Sequence, residues 1–142
     1  MVHALHEAWR VLVPGGVLID LRPISVDSPV DIIFNHSHAF VGNLDMSLGM
    51  QHDTAADLAI ESVISDRIFK DIKIEFFELA YYWKTVRGMV ADIRSRWKDD
   101  VILDETVVLR AYELFRMHHP LAKVRLLLQM KLARYEKLVK DQ

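Results

Sequence analysis

The stretch Ala4-Leu5-His6-Glu7-Ala8-Trp9-Arg10-Val11-Leu12-Val13-Pro14-Gly15-Gly16-Val17-Leu18-Ile19-Asp20 decides how the chain is read. Residues 3–12 place Leu5, Ala8, Trp9 and Leu12 at i, i+3, i+4 and i+7, the spacing that gathers apolar side chains on one helix face. Glu7 and Arg10 can pair on the wet side. Pro14 cannot continue the helical ladder, and glycine admits positive φ, so Pro14-Gly15-Gly16 is a stop followed by a sharp turn. Val17–Leu21 is then an apolar run broken only by Asp20, the pattern of a strand buried on both faces in a parallel sheet. Helix, glycine turn and buried strand make half of an α/β crossover, so the fold class reads as α/β.

Downstream, Pro23–Pro29 is a loop. Val30–Asn35 and His38–Leu44 read as two short strands joined near His36-Ser37, an inserted short hairpin. Residues 53–69 read as a helix with Asp53 as N-cap and a stripe of Ala56, Ala59, Ile60, Val63, Ile64 and Ile68. Asp71–Lys84 reads as a strand. Its apolar set changes phase, from Ile72, Ile74 and Phe76 to Phe77, Leu79, Tyr81 and Trp83, which implies a bulge or burial on both faces. Val86–Trp97 is a helix with Met89, Val90, Ile93 and Trp97 inward. Asp104–His118 is another, capped by Asp104 and stopped by Pro120. Residues 121–140 fit two patterns. Val124, Leu126, Leu128, Met130 and Leu132 alternate as in a strand, while Leu121, Val124, Leu128, Leu132, Tyr135 and Val139 fit a helix. No repeat or linker divides the chain, so 1–142 reads as a single domain.

Composition narrows the function classes. The 142 residues are 51% hydrophobic and 27% charged, which is globular rather than disordered or collagenous. The formal charge of −2 supplies no global field for nucleic acid. Six Lys/Arg (123, 125, 131, 134, 137, 140) face Glu136 and Asp141 in the tail. That segment carries +4 and the remainder −6. It lacks the interleaved aromatics of a nucleic-acid surface and reads as a solvated face. Cysteine is absent, which removes disulfides, thiolate–zinc sites and thiol nucleophiles. No apolar run reaches the ~18–20 residues of a membrane span, and the start lacks a signal-peptide pattern. The reading is a soluble, cytoplasmic protein without a membrane partner.

Candidate chemistry is sparse. His36-x-His38 puts two imidazoles on one strand face or on a turn, and His3 and His6 lie at i, i+3. His118 and His119 are adjacent at a helix end. No third ligand is fixed, so no metal site is expected. There is no Gly-x-Ser-x-Gly and no P-loop, so no independent catalytic constellation is visible. Asp53 and Asp57 at i, i+4, or Asp99-Asp100, have the spacing of acid pairs, but helix capping and a solvated turn explain them more cheaply. Asp20 and Arg22 end the first strand, where ligands gather in open α/β sheets, and are candidates for the substrate side of a pocket. Tyr81, with Tyr82 and Trp83, offers aromatic surface for a flat substrate or for the core.

The opening motif resembles the segment after the fourth strand of class I S-adenosylmethionine-dependent methyltransferases. There a helix ends in Glu-x-x-Arg-Val-Leu-x-Pro-Gly-Gly and leads into the fifth strand. Glu7, Arg10, Val11, Leu12, Pro14, Gly15 and Gly16 match it. The resemblance implies a partial Rossmann-like sheet, the fifth to seventh strands with flanking helices. Lys73–Lys84 would be the sixth strand and Ala122–Arg134 an antiparallel seventh. It implies methyl transfer from S-adenosylmethionine as the parent activity, with Asp20 and Arg22 on the substrate side. The family holds the donor on a Gly-rich loop after the first strand and an acidic residue ending the second. Both precede the Pro-Gly-Gly turn, and here only 13 residues do so. The expectation is therefore a domain without the N-terminal cofactor-binding half, inactive or partner-dependent, with no cofactor-binding residues of its own. Its Val17–Leu21 strand would keep a free edge, to be paired in a homodimer or by a separate N-terminal half. The competing expectation is a non-enzymatic, self-associating scaffold.

Overall fold

The structure is a computed structural model and describes residues 1–139. Lys140 and Asp141, counted above in the charged tail, lie outside the described residues. The chain is mixed α/β. Its helices are α1 (Val2–Val11), α2 (Met50–Ser65), α3 (Val86–Arg96) and α4 (Glu105–His118), with a 3-10 turn at Ser47–Gly49. Its strands are β1 (Val17–Pro23), β2 (Ser28–Phe34), β3 (Ser37–Leu44), β4 (Phe69–Trp83) and β5 (Lys123–Lys137). They form a five-stranded antiparallel sheet ordered β1-β5-β2-β3, with β4 also paired to β5. The chain divides into two compact units. One comprises Met1–Pro23, Gln51–Phe77 and Met130–Gln142, the other Ile24–Met50 and Glu78–Gln129.

In the first unit, β1 runs antiparallel to β5, from Val17 opposite Glu136 to Pro23 opposite Met130. The core is Ile60, Val63, Ile68, Phe69, Ala133 and Tyr135, and Leu5, Trp9, Leu12, Leu18 and Ile64 pack against it. The helical stripe read from residues 3–12 thus points at this core, and Glu7 and Arg10 pair at 2.9 Å on the outside. Trp9 Nε1 donates to the Leu138 carbonyl at 3.1 Å, while Lys137 lies 4.5 Å over the Trp9 ring and donates to the Leu12 carbonyl at 2.6 Å. The two glycines of the turn do different work. Gly15 sits at φ 71°, where an L side chain is strained. A Cβ on Gly16 would lie 2.8 Å from the Val13 carbonyl oxygen, whose acceptor position closes the turn.

Two expectations for this unit are corrected. Val17–Leu21 is a strand, but it is not buried on both faces. Ile19 and Leu21 remain 54% and 56% exposed. Only the side carrying Leu18 meets the helices, and the neighbour is antiparallel rather than parallel. A run of apolar residues records what a strand tolerates on each face and not what covers it. The 53–69 helix begins earlier, at Met50, so Asp53 lies in its first turn instead of capping it. Ile68 is buried just beyond the helix, in the turn before β4.

β4 departs from its expected burial too. Phe69 and Trp83 are buried at its ends, but no residue between them is. Both apolar phases are exposed, so the phase switch does not reflect burial on both faces. Ile72, Ile74 and Phe76 stand out at 40%, 47% and 57% exposure in the first unit. By strand alternation they point away from the side that Phe69 buries.

In the second unit, β2 and β3 form the expected hairpin, with Phe34 opposite Ser37 and a register shift between Val30 and Asp31. β2 also pairs with β5, from Val30 opposite Leu126 to Ile33 opposite Lys123. Residues 121–140 therefore resolve as a strand over Lys123–Lys137, and the helical alternative is set aside. Val124, Leu126 and Leu128 are buried at the alternating positions, and Met130, in the first unit, continues the alternation. Val30, Ile32, Val86, Met89 and Ile93 complete much of this core. Thr85 caps α3 by accepting from Gly88 N at 3.0 Å, and Asp104 caps α4 by accepting from Thr106 N at 2.7 Å.

The hairpin connection is Asn35-His36 rather than His36-Ser37. Both residues take positive φ, 44° and 64°, as a tight two-residue hairpin turn requires. Asparagine and histidine are among the L residues found there most often, but each carries a Cβ penalty that glycine lacks. Replacing His36 by glycine is expected to raise the unfolding free energy by roughly 0.5–1 kcal/mol, the strain relief offset in part by added chain entropy. Urea denaturation of the two proteins measures it.

Candidate functional site

The strongest gathering of polar groups lies in the first unit. Asp20 and Arg22 stand on the same face of β1 as Leu18, the face that meets the helices. Register places Lys131 of β5 directly opposite Arg22. Asp53 and Asp57 project one turn apart from α2. Arg22 Nε donates to Asp20 Oδ2 at 3.2 Å, and Nη1 donates to the Asp53 carbonyl at 3.2 Å. The Asp53 carboxylate is 3.7 Å from the same nitrogen. Nη2 donates to Asp57 Oδ1, which also accepts from Lys131 Nζ at 2.8 Å. The two cations are largely buried, at 15% and 13% side-chain exposure, while Asp57 is 48% exposed.

Electrostatics follows from this geometry. Burial pushes the Asp57 carboxyl upward, but hydrogen bonds from Lys131 and Arg22 outweigh it and hold the group below the usual carboxylate value. Burial likewise works to lower Arg22, and Asp57 and Asp20 more than reverse it. Tyr135 is raised, first by burial and then by the negative charge of Asp20. A depressed folded-state carboxyl adds stability above its unfolded pKa and loses it as pH falls through the folded value. Acidification below about pH 4 is therefore expected to weaken the fold through Asp57. Asp57→Asn should flatten that limb of the stability curve, as urea midpoints measured across acidic pH will read. It should also cost about 1–2 kcal/mol at neutral pH, because Arg22 and Lys131 then share less counter-charge, moderated by solvent at Asp57.

Chemically, this is a closed ion-pair network that ties α2 to β1 and β5. Arg22 uses all three of its nitrogens on groups of its own unit. The structure thus brings two of the sequence candidates, Asp20 and Arg22, together with Asp53 and Asp57, whose spacing in the sequence is explained by helix capping. Lys131 was not anticipated at all. The only signal for it was the strand pairing, which no local pattern encodes.

Tyr81 belongs to the second unit. It meets the Trp97 ring edge-on at 5.3 Å and lies 5.7 Å from Trp83. Trp83 Nε1 donates to Asp92 Oδ2 at 2.7 Å. That bond and, after it, Arg96 hold Asp92 below the ordinary carboxylate value. Tyr81 is therefore one side of an aromatic cluster with a half-open ring face. In the same unit Asp31 is 5% exposed and accepts from Arg125 Nη2 at 2.6 Å and Nε at 3.3 Å.

The histidines are spread out. His36 and His38 border the hairpin tip, and His118 stacks on Phe34 with ring centroids 3.5 Å apart. Among the described residues, no three His, Asp or Glu side chains gather where they could hold a metal ion. Among the same residues, no helix is long and apolar enough to cross a membrane. No protein-family model, curated protein or solved structure matches the chain.

Proposed function

We propose that this chain is a methyltransferase-like α/β domain corresponding to the later half of a class I S-adenosylmethionine-dependent methyltransferase. It is inactive alone and depends on a partner that carries the donor-binding half. One observation carries the reading: β1, the strand after the Pro14-Gly15-Gly16 turn, is the outermost strand of the sheet, paired through β5 alone among the described residues. The antiparallel direction of β5 supports it further, because the resemblance implies a late antiparallel strand beside the fifth. Exposed Ile19, Leu21, Ile72, Ile74 and Phe76 are the apolar surface that an added half would cover.

The residues present do not fit the methyl donor. Asp20, Asp53 and Asp57 are engaged by Arg22 and Lys131, so the acids gathered on the substrate side are taken up by cations of the same chain and not presented to ribose hydroxyls. We derive no chemical step through the donor for this chain. The closed network also favours a second reading, a self-associating scaffold whose substrate side has been filled by its own side chains.

Isothermal titration with S-adenosylmethionine tests the proposal. The chain alone is expected to give no binding heat, and tight binding would overturn the assignment of the donor site to another half. The chain mixed with a partner that supplies a donor-binding half is expected to bind. Absence of binding there favours the scaffold.

A further inference from the structure

A cleft of about 360 Å³ opens at the tip of the β2–β3 hairpin. His36 borders it from the turn, Ser37 and His38 from β3, and Lys123 and Arg125 from β5. Every ionisable side chain in its lining is basic or an imidazole. The nearby carboxylate of Asp31 is almost wholly buried and is taken by Arg125. Lys123 has no ion-pair or hydrogen-bond partner among the described residues, so the cleft keeps net positive charge. Phe34, stacked on His118, forms an apolar wall that fixes one side.

The turn adds an independent observation. Position 36 holds positive φ, where glycine serves best, yet it carries a histidine whose side chain borders the cleft. Histidine is one of the few L residues that this left-handed region admits, and at position 36 its side chain borders the cleft. We infer that the hairpin tip binds the phosphate group of a small phosphorylated molecule. Lys123 supplies the point charge, and His36, Ser37 and His38 supply donors from other directions. A phosphate offers three strong acceptor oxygens to such a spread of donors, where a carboxylate offers two in one plane. This inference is independent of the methyltransferase reading.

Calorimetric titration of the intact chain with sodium pyrophosphate tests it, against malonate and chloride at matched ionic strength. Pyrophosphate is expected to bind and chloride not to. The double variant His36→Gly, Lys123→Met should bind at least about tenfold more weakly, a loss of roughly 1.4 kcal/mol, with a thermal midpoint no lower than that of the parent. Pyrophosphate heat no greater than that of chloride, equal binding of malonate, or undiminished affinity in the variant each overturns the inference. If the double variant fails to fold, Lys123→Met alone, at an exposed position, carries the test: weaker pyrophosphate binding supports the site and unchanged affinity overturns it.

Discussion

Replacing Phe69 by alanine is expected to lower the unfolding free energy by about 3–5 kcal/mol, the range for a truncated buried aromatic. Phe69 is 1% exposed and sits in one cluster with Tyr135, Ala133, Ile60, Val63 and Ile68. It is also the first residue of β4, and no other residue of that strand is buried until Trp83. Neighbouring side chains on β4 therefore offer nothing to refill the space. Chemical denaturation reads the change as a shift in midpoint. The control is Phe76→Ala, which removes an equal ring at 57% exposure and should cost less than about 1 kcal/mol. Equal losses at both positions would mean that β4 is covered on the side described here as open.

Asp31→Ala is expected to cost about 3 kcal/mol. Asp31 is a buried acid on β2 facing Arg125, its register partner on β5. Removing the acid leaves a guanidinium that is only 24% exposed without the oxygen that two of its N–H groups address. Breaking a buried pair from one side costs more than the pair contributes, because the remaining charge stays desolvated. The double variant Asp31→Ala, Arg125→Met should recover much of the loss, and a double-mutant cycle by urea denaturation separates the two effects.

Much of the local structure was legible in the chain. Pro14-Gly15-Gly16 announced the turn because proline and glycine act on backbone angles, which no distant contact is needed to decode. Thr85 and Asp104 precede their helices for the same kind of local reason, although only Asp104 was read as a cap. The apolar stripe on α2 named its buried residues for the most part, since helical period and burial coincide there. Partner identity was far less legible. The run Val17–Leu21 looks the same whether a parallel or an antiparallel neighbour lies beside it, and its composition does not say whether its second face is covered. For 121–140, alternation and helical spacing shared Val124, Leu128 and Leu132, so the decision rested on pairing with β1 and β2.

The candidate site followed the same division. Asp20 and Arg22 were visible as charges interrupting an apolar strand. Of the groups that complete the network, Asp57 lies 35 residues beyond Arg22, and Lys131 lies 74 residues beyond Asp57. Asp31 and Arg125 are separated by 94 residues. Each belongs to a pattern that looks like ordinary surface charge until strand register brings the partners together. The His36-x-His38 spacing fits one strand face or a turn equally well, and the place of His36 in a left-handed turn follows only from the strand register.

The free edge of β1 is where the account is most exposed to test. Light scattering over a concentration series, combined with amide exchange on the same samples, measures it directly. The account predicts fast exchange of the outward amides of Val17–Leu21 in dilute monomer, growth of a larger species at high concentration, and protection of those amides as it forms. Ile19→Pro on the same strand should abolish that growth. A monomer that persists at every concentration, with the β1 amides already protected on both edges, would contradict it.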